Sequence, residues 1–407
     1  MKDVPLDSAN TIPRAETDVS TVGTAGSNAT RTKTDAKGAE TICPQACRVG
    51  APDRNVDTKS FPLVCSPSND PKHAVLLRFK NRTALSLGNA QTRLAYARVV
   101  PGLALRYGFL FHAVTATTLL HDRALTGAQV PQHDELHHLG QAAALLNHRL
   151  STKIVAAERD AIWATSAYLC ASTIFNISTT VPQHTWPLES SNQNSLEWLT
   201  MQAGLRIVWQ MTEMNRQDSA FSQIEPTTPP SSNCVHPTEP IPGINGILPI
   251  LVTLCGLDKN STGENNPYHT AASRLTTLLA VPGTPDNVLT FMVFAGGMKK
   301  EFRALLHKKD PRALLLLALW YSKLFHSMWW VVPRARLECQ AICQYLGEMR
   351  VQERGFQQVL GVVRKASETL ELTCVAELVD LLPRLPVEKK VANGPTSMKV
   401  EMFWDGY

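Results

Sequence analysis

Between Asp310 and Val332 the chain reads DPRALLLLALWYSKLFHSMWWVV, and from Arg312 to Tyr321 this run offers almost no polar face. Asp310 stands where a helix N-cap is needed, and Pro311 fits the first helical position, where its missing N–H is no loss. Beyond Lys323 the residues Leu324, Phe325, Trp329 and Trp330 extend the apolar surface. A helix that is apolar on nearly every side has to be sheathed by other helices, so this stretch predicts the central pillar of a helical body. Spaces between helices around such a pillar suit apolar ligands.

The rest of the chain supplies the sheath. Apolar density begins at Leu76 to Arg98, and Gly102 to Leu125 reads as a buried helix opening just after Pro101. Residues 136–150 carry Leu136, Leu139, Ala143, Leu146 and Leu150 at helical spacing, and Ile154 to Ile177 repeats the pattern. In Ser195 to Met211 the stripe is Leu196, Leu199, Ala203, Ile207 and Met211. Further helices are predicted over 266–280, 285–294, 298–307, 334–347 and 353–382. No segment alternates as a strand would, so the fold class is all-α: one large multi-helical domain over residues 73–385. A Ser/Thr/Asn-rich tail over 1–72 is expected to be disordered, since it cannot repay the entropy of ordering. Residues 215–245, rich in Pro, Ser and Thr, form a loop inside the domain, and 386–407 form a C-terminal tail.

At 407 residues and 44% apolar content the chain is long enough to bury a real core, and its net charge of +5 gives no licence to infer nucleic-acid binding. Nine cysteines without a signal peptide predict an intracellular protein with free thiols. The strongest rival for a membrane span, Ile241 to Leu257, is broken by Pro242 and Pro249 and falls short of the roughly 20 apolar residues a bilayer needs, so no span is expected.

Standard catalytic signatures are missing: there is no G-x-S-x-G elbow, phosphate-cradling G-x-x-x-x-G-K, G-x-G-x-x-G or H-E-x-x-H. The densest ionisable group is His133, Asp134, Glu135, His137, His138 and His148. His133 and His137 at i, i+4 spacing can share a metal, but a polar helix start with acids near the positive dipole end explains them without one. Cys339 and Cys343 sit mid-helix and read as buried thiols, so no metal and no cofactor is expected. Lys299, Lys300, Arg303, His307, Lys308 and Lys309 make a basic strip, by default a solvated helix face and otherwise a surface for a partner or a phosphate.

Five segments in this order carry a resemblance: FKNRTALSLG (79–88), FLFHAVTATTLLHDR (109–123), HHLGQAAALLN (137–147), LEWLTMQAG (196–204) and, above all, 291–331 with its pillar. Over about residues 75–350 the chain resembles the C-terminal regulatory domain of fungal binuclear zinc-cluster transcription factors, in the branch similar to sterol-uptake control regulators. The resemblance implies an all-helical domain that holds a sterol-like or other apolar small molecule, pairs with a second copy or a transcription-factor partner, and acts in the nucleus or shuttles to it. It projects the ligand site onto Gly296, Gly297, Leu317, Tyr321, Leu324, Phe325 and Trp329. The chain departs from the family's six-cysteine array: the tail holds only Cys43, Cys47 and Cys65, no C-x2-C occurs and no basic segment follows, so direct DNA binding is not expected. The reading is a transcription regulator or co-regulator, serving a secondary-metabolite gene cluster. An enzyme or carrier for an apolar metabolite, reusing the same helices, is the alternative.

Overall fold

Asp70 opens the helical body: its carboxylate accepts from the Lys72 backbone N–H at 3.0 Å and Pro71 takes the first helical position, giving α1 (Pro71–Arg78). Residues 70–72, expected in the tail, therefore belong to the helical body, because Asp70 caps α1. The computed structural model describes residues 70–128, 130–189, 196–221 and 240–369. The rest of the tail over 1–72, the middle of the loop over 215–245, the end of the helix expected at 353–382 and the C-terminal tail at 386–407 lie outside these residues.

The described residues fold as α-helices without a strand. After α1 come α2 (Ala90–Ala104), α3 (Gly108–Thr126), α4 (His133–Leu150), α5 (Arg159–Phe175) and α6 (Glu197–Met211). Beyond the loop follow α7 (Pro249–Cys255), α8 (His269–Leu279), α9 (Val288–Gly296), α10 (Lys300–His307), α11 (Pro311–Ser322), α12 (Val332–Glu348) and α13 (Arg354–Thr369). No helix among them is long and apolar enough to cross a membrane. The apolar stretch from Ile241 to Leu257 contains α7, which buries Ile250, Leu251, Leu254 and Cys255.

α3 packs on α4 and α5, with α1 and α2 laid against it, and α5 carries contact onward to α6. α11 is the centre of the C-terminal half, touched by α8, α10, α12 and α13. Asp310 caps it by accepting from the Ala313 N–H at 2.9 Å, as its sequence position predicts. From Ala313 through Ser322 every residue of α11 is buried, and Leu314 to Leu317 and Leu319 have no exposure at all. Each such leucine contributes about 1.5–3 kcal/mol relative to leaving it in water.

Four expectations need correcting. The pillar does not run to Val332: α11 stops at Ser322, and residues 323–331 form a tight turn before α12. Lys323, just past the last residue of α11, sends its buried ammonium back to the carbonyl of Leu279 at 3.2 Å, at the C-terminus of α8. Pro101 does not precede a helix but lies inside α2, whose last turn is held by buried Val100 and Ala104, so the next helix starts only at Gly108.

On α4 the buried positions are Glu135, Ala142 and Leu146, while Leu136 is 52% exposed. A bidentate pair from Arg123 to Glu135, both bonds 2.9 Å, fixes this rotation of the helix. On α6 the stripe divides: Leu196 and Leu199 are buried beside Trp198 and Gln202, but Ile207 is 59% and Met211 43% exposed.

The Arg123–Glu135 pair gives a sharp contrast. Glu135→Ala leaves a buried guanidinium without its partner and is expected to cost about 3–5 kcal/mol, whereas Leu136→Ser should change stability by less than about 0.5 kcal/mol. Urea denaturation of the two variants checks this, and equal losses would refute the helix rotation.

Candidate functional site

The residues projected as a ligand site fall into three places. Leu317, Tyr321, Leu324 and Phe325 are together in the closed core around the end of α11, each at most 1% exposed. Their space is filled by their own side chains and their neighbours. Trp329 lies half-buried on the 323–331 turn, and Gly296 and Gly297 end α9.

The core group is organised by an aromatic column. The Trp320 ring stacks on Trp198 of α6 at 5.9 Å and on Phe294 of α9 at 5.6 Å, and Phe294 meets the edge of Phe302 of α10 at 6.4 Å. The indole N–H of Trp320 donates to the carbonyl of Phe291 at 2.8 Å, so this large ring leaves no polar atom unmet. At the other end of the column the Arg334 guanidinium lies over the Trp198 ring, 5.6 Å from its centroid.

Arg334 also begins the polar network that closes the core. It donates to the carbonyls of Ile174 at 2.8 Å, Thr173 at 3.1 Å and Asn176 at 3.0 Å, the C-terminal end of α5, and it pairs with Glu338 one turn along α12. The Tyr321 hydroxyl donates to the other oxygen of Glu338 at 2.5 Å. Burial pushes the Glu338 carboxyl above its ordinary range, with Arg334 and the Tyr321 hydroxyl pulling the other way. Burial, then the Glu338 charge, pushes the Tyr321 phenol well up, so it stays a donor. Nothing local in the sequence points to this network, since Arg334 and Glu338 look like any surface i, i+4 pair.

Trp329 meets a different set. Its ring stacks on His121 at 4.8 Å and meets the edge of Phe175 at 5.2 Å, and its N–H donates to Ser86 Oγ at 3.0 Å. His121 Nδ1 is 3.2 Å from Thr83 Oγ1, and burial holds the imidazole below its usual range. Segments 79–88, 109–123 and 291–331, far apart in the chain, thus meet at Trp329. Trp330, its neighbour, is buried.

His133 and Asp134 stand in solvent in the first turn of α4, as a polar helix start implies, whereas Glu135 turns inward to Arg123. His138 instead faces His112 of α3, with the two Nδ1 atoms 2.8 Å apart, a partner the sequence did not indicate. Among the described residues no three His, Cys, Asp or Glu side chains are placed to hold a metal. Cys339 and Cys343 are buried free thiols on α12, as expected.

Of the basic strip, Lys300, His307 and Lys308 are exposed, as a solvated helix face implies, while the other three are partly buried. Lys309 donates to the carbonyl of Pro187 at 2.6 Å and covers the Tyr345 ring, and Arg303 reaches the carbonyl of Met298 at 3.4 Å. Lys299 instead lines a cavity of about 10 Å³ between α8, α9 and α10, together with Thr270, Arg274, Phe294, Gly297 and Phe302. That is room for one water-sized atom. The foot of the aromatic column forms one of its walls.

Compared with known proteins, the chain matches no protein-family model and no curated protein.

Tyr321→Phe tests the closed network directly. The ring keeps its place against Trp198 and Trp320, but the buried Glu338 loses a donor, and the expected loss is about 1–3 kcal/mol. A chemical-denaturation midpoint unchanged from the parent protein would show that the bond does not form.

Proposed function

We propose that the chain is a transcription regulator or co-regulator of the fungal zinc-cluster type, serving a secondary-metabolite gene cluster, whose helical domain responds to a protein partner or an apolar small molecule. It acts in the nucleus or moves there. The supporting observation is that the longest stretch of the resemblance, residues 291–331, forms α9, α10, α11 and the following turn, with the pillar enclosed by the surrounding helices. Two other shared segments, 79–88 and 109–123, meet that stretch at Trp329 through Ser86 and His121.

Within this reading a protein partner, a second copy or another transcription factor, is favoured over an apolar guest. Leu317, Tyr321, Leu324 and Phe325 fill their own space, so a sterol-sized molecule would enter only by displacing them. α6, by contrast, presents Ile207, Met211 and Met201 to solvent beside half-buried Leu205 and Val208, the kind of apolar face that partners cover. The ionisable groups beside the pillar, Arg334, Glu338 and Tyr321, satisfy one another, which favours structural work over catalysis and weighs against the enzyme or carrier alternative.

Tethering the full chain to a promoter through a heterologous DNA-binding module in a fungal host tests the reading. Reporter output is expected to rise or fall relative to the module alone, and Ile207→Glu combined with Met211→Glu is expected to abolish the change while the protein stays folded. Output equal to that of the module alone would contradict the proposal. Native mass spectrometry of protein from its host separates the arms, with a co-purifying apolar molecule favouring the ligand and a stoichiometric protein the partner.

A further inference from the structure

The small cavity between α8, α9 and α10 has the chemistry of an anion site. It lies at the start of α8, where Pro267, Thr270 and Ala271 line it, and at the start of α10, where Met298, Lys299 and Phe302 do. Neither helix has a side-chain cap: Tyr268 and Lys299 occupy the cap positions and their side chains make no capping bond. At α8 the His269 N–H is taken by the Asn266 carbonyl at 3.2 Å, while the other first-turn N–H groups have no intrahelical acceptor and each helix carries partial positive charge at this end.

Three side chains add to this. Thr270 is only 4% exposed, and its Oγ1 has no hydrogen-bond partner among the described residues, although a buried hydroxyl ordinarily finds one. Lys299 and Arg274 bring two cationic groups to the same lining.

Two glycines make room for the polar side chains of the lining. A Cβ at Gly263 would stand 2.5 Å from Thr270 Oγ1 and 2.8 Å from Lys299 Nζ, so the hydroxyl and the ammonium share the room its missing side chain leaves. A Cβ at Gly297 would overlap the Arg274 guanidinium, which instead donates to the Gly297 carbonyl. Phe294 and Phe302 close the apolar side and lower the local dielectric, which strengthens each charge contact.

We propose that this cavity binds the oxyanion of a phosphoryl or carboxyl group, one oxygen entering to accept from Thr270 Oγ1, with Lys299 and Arg274 balancing its charge. The volume admits one oxygen atom, so the remainder of the group stays outside, on the side of the partly exposed lining residues Pro267, Arg274, Gly297 and Lys299. The inference does not rest on the regulatory reading and holds whether or not that reading does.

Titrating the full chain with inorganic phosphate, with acetate and with sodium chloride at matched ionic strength, followed by the rise in melting temperature, tests the site. Saturable stabilisation by phosphate alone assigns a phosphoryl group, and by acetate alone a carboxylate. Thr270→Val is nearly isosteric and Lys299→Met keeps the stem that covers the cavity. Each is expected to weaken the saturating anion about tenfold or more, with circular dichroism unchanged. The proposal is overturned if neither anion saturates, if chloride gives the same rise, or if both variants bind as tightly as the parent chain.

Discussion

A helix without a polar face can exist in water only if other helices cover it completely, and that requirement on α11 arranges the C-terminal half of the protein. Its ten buried residues from Ala313 to Ser322 demand neighbours on every side, supplied by α8, α10, α12 and α13, with rings from α6 and α9 stacked on Trp320. Close packing of this kind leaves little free volume, so the pillar serves as a core before it can serve as a pocket wall. At its margins lie a cavity of about 10 Å³ at the foot of the aromatic column and a half-buried tryptophan on the following turn.

Polar groups inside such a core are costly unless each finds a partner, and the structure meets that cost at one place. Arg334 gathers the last carbonyls of α5, pairs with Glu338, and through it reaches the Tyr321 hydroxyl of α11. Arg123, already paired with Glu135 of α4, donates to the side chain of Asn176 at 2.7 Å, so two buried arginines meet the same end of α5 from different helices. The N-terminal helices and the pillar are thereby tied by directional bonds as well as by apolar packing. Trp329 adds a further tie by bridging Phe175 and His121 to the segment holding Ser86.

The pillar, its Asp310 cap and the helical class were legible because they depend on local chemistry: an uninterrupted apolar run, a capping carboxylate and a proline at the first position. What escaped the sequence depends on distant partners. Leu136 fits a helical stripe as well as Glu135 breaks one, and only Arg123, 12 residues earlier, decides which faces inward. At the end of α11 Lys323 reaches Leu279, 44 residues away, and no periodicity reports that. Ile207 and Met211 continue the α6 stripe in sequence, yet in the fold they stand in solvent. Of the projected site residues, four lie together in the core, while Trp329 and the two glycines are placed by turns whose course follows from tertiary contacts. The cavity at Thr270 had only the basic strip as a pointer, because Arg274, Gly263 and Thr270 are far from Lys299 in the chain.

The fold depends on α11 being its most deeply enclosed element, and native-state hydrogen exchange measures this directly. The account predicts that amides from Leu314 to Ser322 exchange only through global unfolding and are the slowest in the protein, while those near Ile207 and Met211 at the end of α6 exchange through local opening. Exchange in α11 as fast as at the end of α6 would contradict it.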